Sequence, residues 1–286
     1  MDLEFAAAKS EIEAFKKSYP LIDIETENMV CDYFMERHNQ SDPEQMSSTW
    51  DAFEKLLSDA RLRVPYLSGI KKNYFIRLCS ALDSQPSELL FIGGTPAGAL
   101  YIYADDLKTA RQKLQKAAIK SPNSSELFGY LSYVHFLNKD IAASRICLRE
   151  ALEIDPLGVS LDLIADSEVL ELIGDVRTNS RADEVQPLRW VVSYGCVRGV
   201  FPPKTIRLIE DLKVYVAGFA ELEKLYLKNR DEETRAKLFY TCLVLSDNNK
   251  YLQHVSAVEL TKIRKYMKEV NPALFKKYLA YVEKNR

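Results

Sequence analysis

Residues 105–122 read DDLKTARQKLQKAAIKSP, and residues 139–156 read KDIAASRICLREALEIDP. Laid one over the other, they pair Asp106 with Asp140, Leu107 with Ile141, Ala110 with Ser144, Leu114 with Leu148, Ala117 with Ala151 and Pro122 with Pro156, each pair 34 residues apart. The apolar steps predict a helix in each copy. Small side chains at Ala110, Ala117, Ser144 and Ala151 let a neighbouring helix approach closely, while Leu107, Leu114, Ile141 and Leu148 fill the space between. A proline after each helix stops it and turns the chain.

The same spacing of three and four runs almost throughout the chain, and strict alternation is scarce. The clearest stripe is Leu208, Leu212, Tyr215, Phe219, Leu222 and Tyr226, after Pro202-Pro203, which are read as the stop of the preceding element. Helices are predicted near 3–18, 24–38, 43–62, 66–82, 87–92, 96–104, 106–120, 124–137, 140–153, 160–178, 184–198, 204–228, 231–246, 257–269 and 272–284. Thr95-Pro96, Ser121-Pro122 and Asn271-Pro272 read as helix starts. Ser256 to Glu259 reads as a capping box. Linker candidates are His38 to Pro43, Thr178-Asn179-Ser180 and Ser246 to Asn249.

Composition agrees with helix. Of 286 residues, 47% are apolar and only 10 are Gly and 11 Pro, too few turn residues for an all-β sandwich. The net charge of −2 argues against a protein built to coat nucleic acid. It conceals a gradient: residues 1–60 hold 14 acids and 5 bases, and residues 261–286 hold 8 bases and 2 acids. No run of 18 apolar residues marks a membrane span, and the acidic start lacks the basic region of a secretory signal, so a soluble protein is expected. The five cysteines stand singly, which predicts neither a disulfide framework nor a zinc site and suits a reducing cytoplasm.

The 34-residue step, with these small and large sites, resembles the tetratricopeptide repeat. The resemblance covers residues 95–156. In the second unit Phe128 and Leu131 stand where the family has its large aromatic and its Leu, while Ser132 replaces Gly and His135 replaces Tyr. In the first unit Gly98 and Tyr101 match, Ala97 is tolerated, and Gly94 occupies the aromatic site, which predicts a short first helix. One period later the two small sites and the proline site fall on Thr178, Val185 and Trp190; one period earlier Ile76, Ser80 and Asp83 stand at small, apolar and small sites. About three units are needed to bury a solenoid core. The resemblance therefore implies an all-α fold of antiparallel helix hairpins, stacked as a short α-solenoid with irregular capping helices. It divides the chain into an acidic helical region 1–94, the repeats 95–156 and a helical region 157–286, unless all three form one continuous domain.

The family's best-known site is a basic clamp on the concave face. The groove-facing positions here, Glu126, Gly129, Tyr130 and Tyr133, are not basic, so the resemblance implies an apolar or helical peptide rather than a terminal carboxylate; packing of the tyrosines on the next hairpin is the competing reading. A second candidate is the carboxy-terminal pair of helices, whose Arg264, Lys265, Lys268, Lys276 and Lys277 form a basic face opposite Leu260, Ile263, Met267 and Leu274. That face could meet nucleic acid, an anionic membrane surface, an acidic protein or the acidic segment of a second copy, or simply be solvated.

No catalytic constellation stands in the sequence. Only three histidines are present, and His135 reads as a packing residue, His38 and His254 as helix-end residues. Gly93 to Gly98 lacks the Lys-Ser or GxGxxG that phosphate binding needs and reads as a turn between helices. Cys147 and Cys242 read as small core residues. The expectation is a non-enzymatic adaptor, scaffold or chaperone-like protein that needs no cofactor or metal and takes a protein or peptide partner. Nucleic-acid association through the basic hairpin is the alternative, an enzyme with a pocket of converging acids the third reading, and homo-oligomerisation is left open.

Overall fold

A computed structural model describes residues 5–21, 23–37, 39–64, 66–85, 88–178, 186–206 and 208–284. These residues form fifteen α-helices, two short 3-10 turns and one two-residue-per-strand hairpin, so the fold is all-α. The chain divides into two compact units, residues 1–121 and 122–286.

The first unit contains α1 (Phe5–Ser18), α2 (Glu25–Met35), α3 (Pro43–Asp59), α4 (Leu67–Asp83), β1 (Phe91–Ile92), β2 (Thr95–Pro96), α5 (Ala97–Tyr103) and α6 (Leu107–Lys120). Its core is aromatic. Phe34 meets Phe53 at 4.7 Å and Trp50 at 6.0 Å between ring centroids, and Trp50 meets Phe75 at 5.5 Å. The predicted helix over 87–92 is corrected by this structure. Phe91 and Ile92 pair antiparallel with Pro96 and Thr95, and Gly93 and Gly94 turn between them at φ +54° and +89°. Positive φ at both turn residues is what a tight two-residue hairpin needs and what other residues adopt at a cost. The glycine cluster is therefore a strand turn, not a turn between helices. Gly98 has a different purpose: a Cβ there would lie 2.6 Å from Leu114 Cγ and 2.9 Å from the Ala110 carbonyl oxygen, so its absence lets α5 lie on α6.

The second unit contains α7 (Ser125–Leu137), α8 (Ile141–Ile154), a 3-10 turn at Leu161–Leu163, α9 (Ser167–Thr178), a 3-10 turn at Pro187–Trp190, α10 (Val191–Arg198), α11 (Ile209–Lys228), α12 (Glu232–Asp247), α13 (Asn249–Val255), α14 (Leu260–Val270) and α15 (Pro272–Lys284). The centre of this unit is α12, an apolar helix with residues Leu238 to Ser246 continuously buried. A helix apolar on every side can only be stable when enclosed. Trp190, Phe201, Met267 and Leu274 are among the buried residues of the same core.

The repeated sequence gives repeated local structure. The helices α6 and α8 each span 14 residues, with both bounds displaced by 34. Asp106 accepts a hydrogen bond from Thr109 N at 3.0 Å, and Asp140 from Ala143 N at 3.1 Å, so each copy is capped by the same residue type. The preceding residues, Asp105 and Lys139, sit at φ +66° and +62°.

Three further expectations are corrected. The helix α10 ends at Arg198 because Gly199 takes a left-handed φ of 78°, before Pro202-Pro203 can act, and α11 starts at Ile209 rather than 204. Ser256 does not build a capping box; its Oγ accepts from Val258 N, and Glu259 itself is the first flanking residue of α14. Of the proposed proline starts, only Pro272 occupies a first helical turn, where the Asn271 side chain accepts from Leu274 N. Ser124, not Pro122, caps α7, and Pro96 lies in β2. His38, Asn179 and Ser180 lie outside the described residues.

Candidate functional site

The α7–α8 hairpin brings together the residues of the expected groove. Ser124 Oγ accepts from Leu127 N, fixing the start of α7, and the buried Ser132 and Ser144 hydroxyls meet at 3.1 Å between the two helices. Leu127, Leu131 and Val134 face inward. Glu126, Tyr130, Tyr133 and Leu137, at steps of 4, 3 and 4, lie together on an adjacent face of the helix. Tyr130 and Tyr133 are half-buried, and Leu137 is 38% exposed. Glu126 reaches solvent, yet the protein around it raises its carboxyl above the usual carboxylate range by burial.

Gly129 borders this stripe but does not belong to the open surface. It is buried beneath Val159 and Leu163, whose methyl carbons lie 3.7 and 3.5 Å from where a Cβ would stand. The segment after α8 thus closes one flank of the stripe. Leu157 and Leu161 on that segment are 44% and 39% exposed.

The basic residues of the carboxy-terminal helices are not equivalent. Lys265, Lys268 and Lys276 are exposed. Arg264 is half-buried, and the buried Tyr278 hydroxyl is bonded to the Ser246 hydroxyl at 2.6 Å. Lys277 lies 5.4 Å from the centre of the Tyr194 ring and lines a cleft of about 470 Å³ with Asp175, Val176, Val197 and Arg198. There Arg198 bonds Asp175 at 2.6 Å, so most of the cleft's charge is already paired.

The largest polar cluster was not visible as a motif. Glu150 and Glu153, one turn apart on α8, both bind the Lys204 ammonium at 2.7 Å. Glu150 also accepts from Arg149 at 2.6 Å, and Glu153 accepts from the Tyr215 and Tyr240 hydroxyls. Burial acts to raise the Glu150 carboxyl, but the bonds from Lys204 and Arg149 outweigh it and hold the group low. Tyr240 is pushed well above its usual value, first by burial and then by the Glu153 charge. Arg149 donates to the Pro202 carbonyl at 2.6 Å, and Asn248 accepts from Ile206 N and donates to the Lys204 carbonyl. Two cations and two carboxylates thus pin the extended segment between α10 and α11 against α8 and α12. The cleft beside Glu153 and Tyr240 holds only about 30 Å³, room for one water. Its acids converge on lysine rather than on an open pocket.

The remaining singled-out residues sit as follows. His135 stands 3.5 Å from Asp140, and His254 is exposed in the last turn of α13. All five cysteines are free; burial lifts Cys147 to about 11 and Cys196 to about 12. Thiols held so high are poor nucleophiles. Among the described residues no group of three or more His, Cys, Asp or Glu is placed to hold a metal, and no helix is long and apolar enough to cross a membrane.

No family model, curated protein or solved structure matches the chain.

Proposed function

We propose that this protein is a binding module that takes an apolar or amphipathic segment of another protein along α7. The observation that carries the reading is the stripe Glu126, Tyr130, Tyr133 and Leu137, which leaves two tyrosine rings half-covered next to an exposed leucine. Tyrosines give a partner broad apolar area with little loss of side-chain freedom, and their hydroxyls orient it. Glu126 at the start of the stripe favours a basic residue at the corresponding end of the ligand. The likeness of α6 and α8 in bounds, caps and turn conformation supports reading the two hairpins as tetratricopeptide-like units, and with them an adaptor or scaffold role.

The test is a peptide array probed with the full chain and with Tyr130→Ala/Tyr133→Ala. The reading expects peptides with apolar residues at helical spacing to bind the native chain and to lose at least tenfold in affinity to the variant, about 1.4 kcal/mol. Equal binding by both would remove the α7 site. A second reading, association of the basic hairpin with nucleic acid, draws on the exposed Lys265, Lys268 and Lys276. It expects binding that falls steeply with salt. Absence of binding to nucleic acid at low ionic strength would dispose of it.

A further inference from the structure

The cleft of about 470 Å³ between α9, α10 and α15 has the size of a ligand site, and its walls are of two kinds. The buried Val176 and Val197 line it together with the half-buried Tyr194 ring, which makes one side apolar and aromatic. Arg198 and Lys277 make the other side cationic. Asp175 is the one carboxylate lining the cleft among the described residues, and it accepts from Arg198 at 2.6 Å. Two cations against one acid leave one positive charge, carried by Lys277 at 5.4 Å from the centre of the Tyr194 ring. Glu171 and Arg177, exposed on α9 outside the lining, offset each other.

Lys277 also borders a wider basic surface. Lys265 and Lys268 on α14 and Lys276 on α15 are exposed, and among the described residues none of these four lysines makes an ion pair. Lys262, by contrast, is held by Glu223 at 2.7 Å. Of the two acids in residues 261–286, Glu269 is bonded by Arg230 at 3.3 Å and Glu283 is exposed.

We propose that this cleft takes an unpaired base of a single-stranded nucleic acid. The base lies on Tyr194, the adjoining phosphodiester meets Lys277, and Lys265, Lys268 and Lys276 attract the rest of the strand. The proposal rests on the basic-hairpin reading above and adds to it a seat for the base. Aromatic rings beside cations bind single strands in this way, because every base offers a flat face and every phosphodiester one negative charge. That single charge matches the one the cleft leaves uncompensated. A duplex keeps its bases stacked inside and has none to lay on Tyr194, and a flat bilayer surface would meet the lysines without entering the cleft.

Fluorescence anisotropy of the full chain with a labelled oligouridylate of about twelve nucleotides, at low ionic strength, tests this. The strand should bind, more tightly than a duplex of the same length. Tyr194→Ala should weaken binding about tenfold, while Tyr194→Phe, which keeps the ring, should bind as the native chain does. Lys277→Met should weaken binding severalfold and reduce the slope of log affinity against log salt by about 0.7. Tyr130→Ala/Tyr133→Ala should change nothing, which separates this cleft from the stripe on α7. No binding of the strand overturns this proposal and the basic-hairpin reading together. Binding that is lost in Lys265→Ala/Lys268→Ala/Lys276→Ala yet indifferent to Tyr194→Ala and Lys277→Met overturns the cleft alone. So does a duplex bound as tightly as the strand.

Discussion

Replacing Lys204 by Met removes one ammonium from between two carboxylates while keeping most of the side chain's apolar length. In the native unit Lys204 bonds Glu150 and Glu153 at 2.7 Å each, and its side chain is 21% exposed. Removing one partner from a buried ion pair costs about 3–5 kcal/mol, chiefly because the opposite charge is left uncompensated. Here Glu150 keeps Arg149, and Glu153 keeps the Tyr215 and Tyr240 hydroxyls. The expected loss is therefore about 2–3 kcal/mol, below that range. Urea unfolding read by tryptophan fluorescence suits the measurement, because Trp50 lies in the first unit and Trp190 in the second; a Trp50→Phe background leaves Trp190 as sole reporter. A shift of about 1 M in the midpoint is expected for slopes of about 1–3 kcal/mol per M.

The pH dependence separates charge from packing. In the native chain Glu150 is held low, so its stabilisation is present above the unfolded glutamate value of about 4.3 and is lost as pH falls through the lower folded value. Without Lys204, burial at Glu150 is opposed only by Arg149, and protonation of that carboxyl relieves the variant. The gap between native and variant should be full at pH 7 and should narrow as pH falls toward about 4. A Lys204→Met protein as stable as the native one, or a gap identical at both pH values, would refute the argument from charge.

Two further outcomes follow from the repeat geometry. Gly98→Ala puts a methyl 2.6 Å from Leu114 Cγ and should lower the midpoint of the first unit by an amount equivalent to about 1–3 kcal/mol, as overpacking does; no change in thermal unfolding would show that α5 can move off α6 freely. Asp106→Ala and Asp140→Ala each remove one cap hydrogen bond and should each cost about 1 kcal/mol, the first in the unit 1–121 and the second in 122–286; unequal effects would mean that the two turns, alike in geometry, differ in surroundings.

What could be read in advance was local. The 34-residue step gave α6 and α8 nearly to the residue, because caps, small sites and stopping prolines act within one turn of the chain. Leu89 to Ile92 failed because a four-residue apolar run fits helix and strand alike, and the deciding feature, positive φ at Gly93 and Gly94, belongs to the turn. The polar residues of Ser246 to Asn249 suggest a linker, yet Asn248 is buried and α13 starts at Asn249. Asparagine is a turn former only when its amide has no better partner; here it bonds Val244, Lys204 and Ile206. The stripe on α7 was legible because helical spacing alone puts Glu126, Tyr130 and Tyr133 together. Its closed flank was not, since Val159 and Leu163 reach Gly129 from the segment between α8 and α9, about thirty positions along the chain. The Glu150, Glu153 and Lys204 cluster joins residues more than fifty positions apart. The one local hint was two acids a turn apart on α8, next to Arg149.

The most direct test of the binding reading is hydroxyl-radical footprinting of the full chain with and without the strongest array peptide. Labelling of Tyr130 and Tyr133 should fall several-fold when the peptide binds, while that of Tyr251, exposed on α13, stays constant. Undiminished labelling of both α7 tyrosines under saturating peptide would contradict the account.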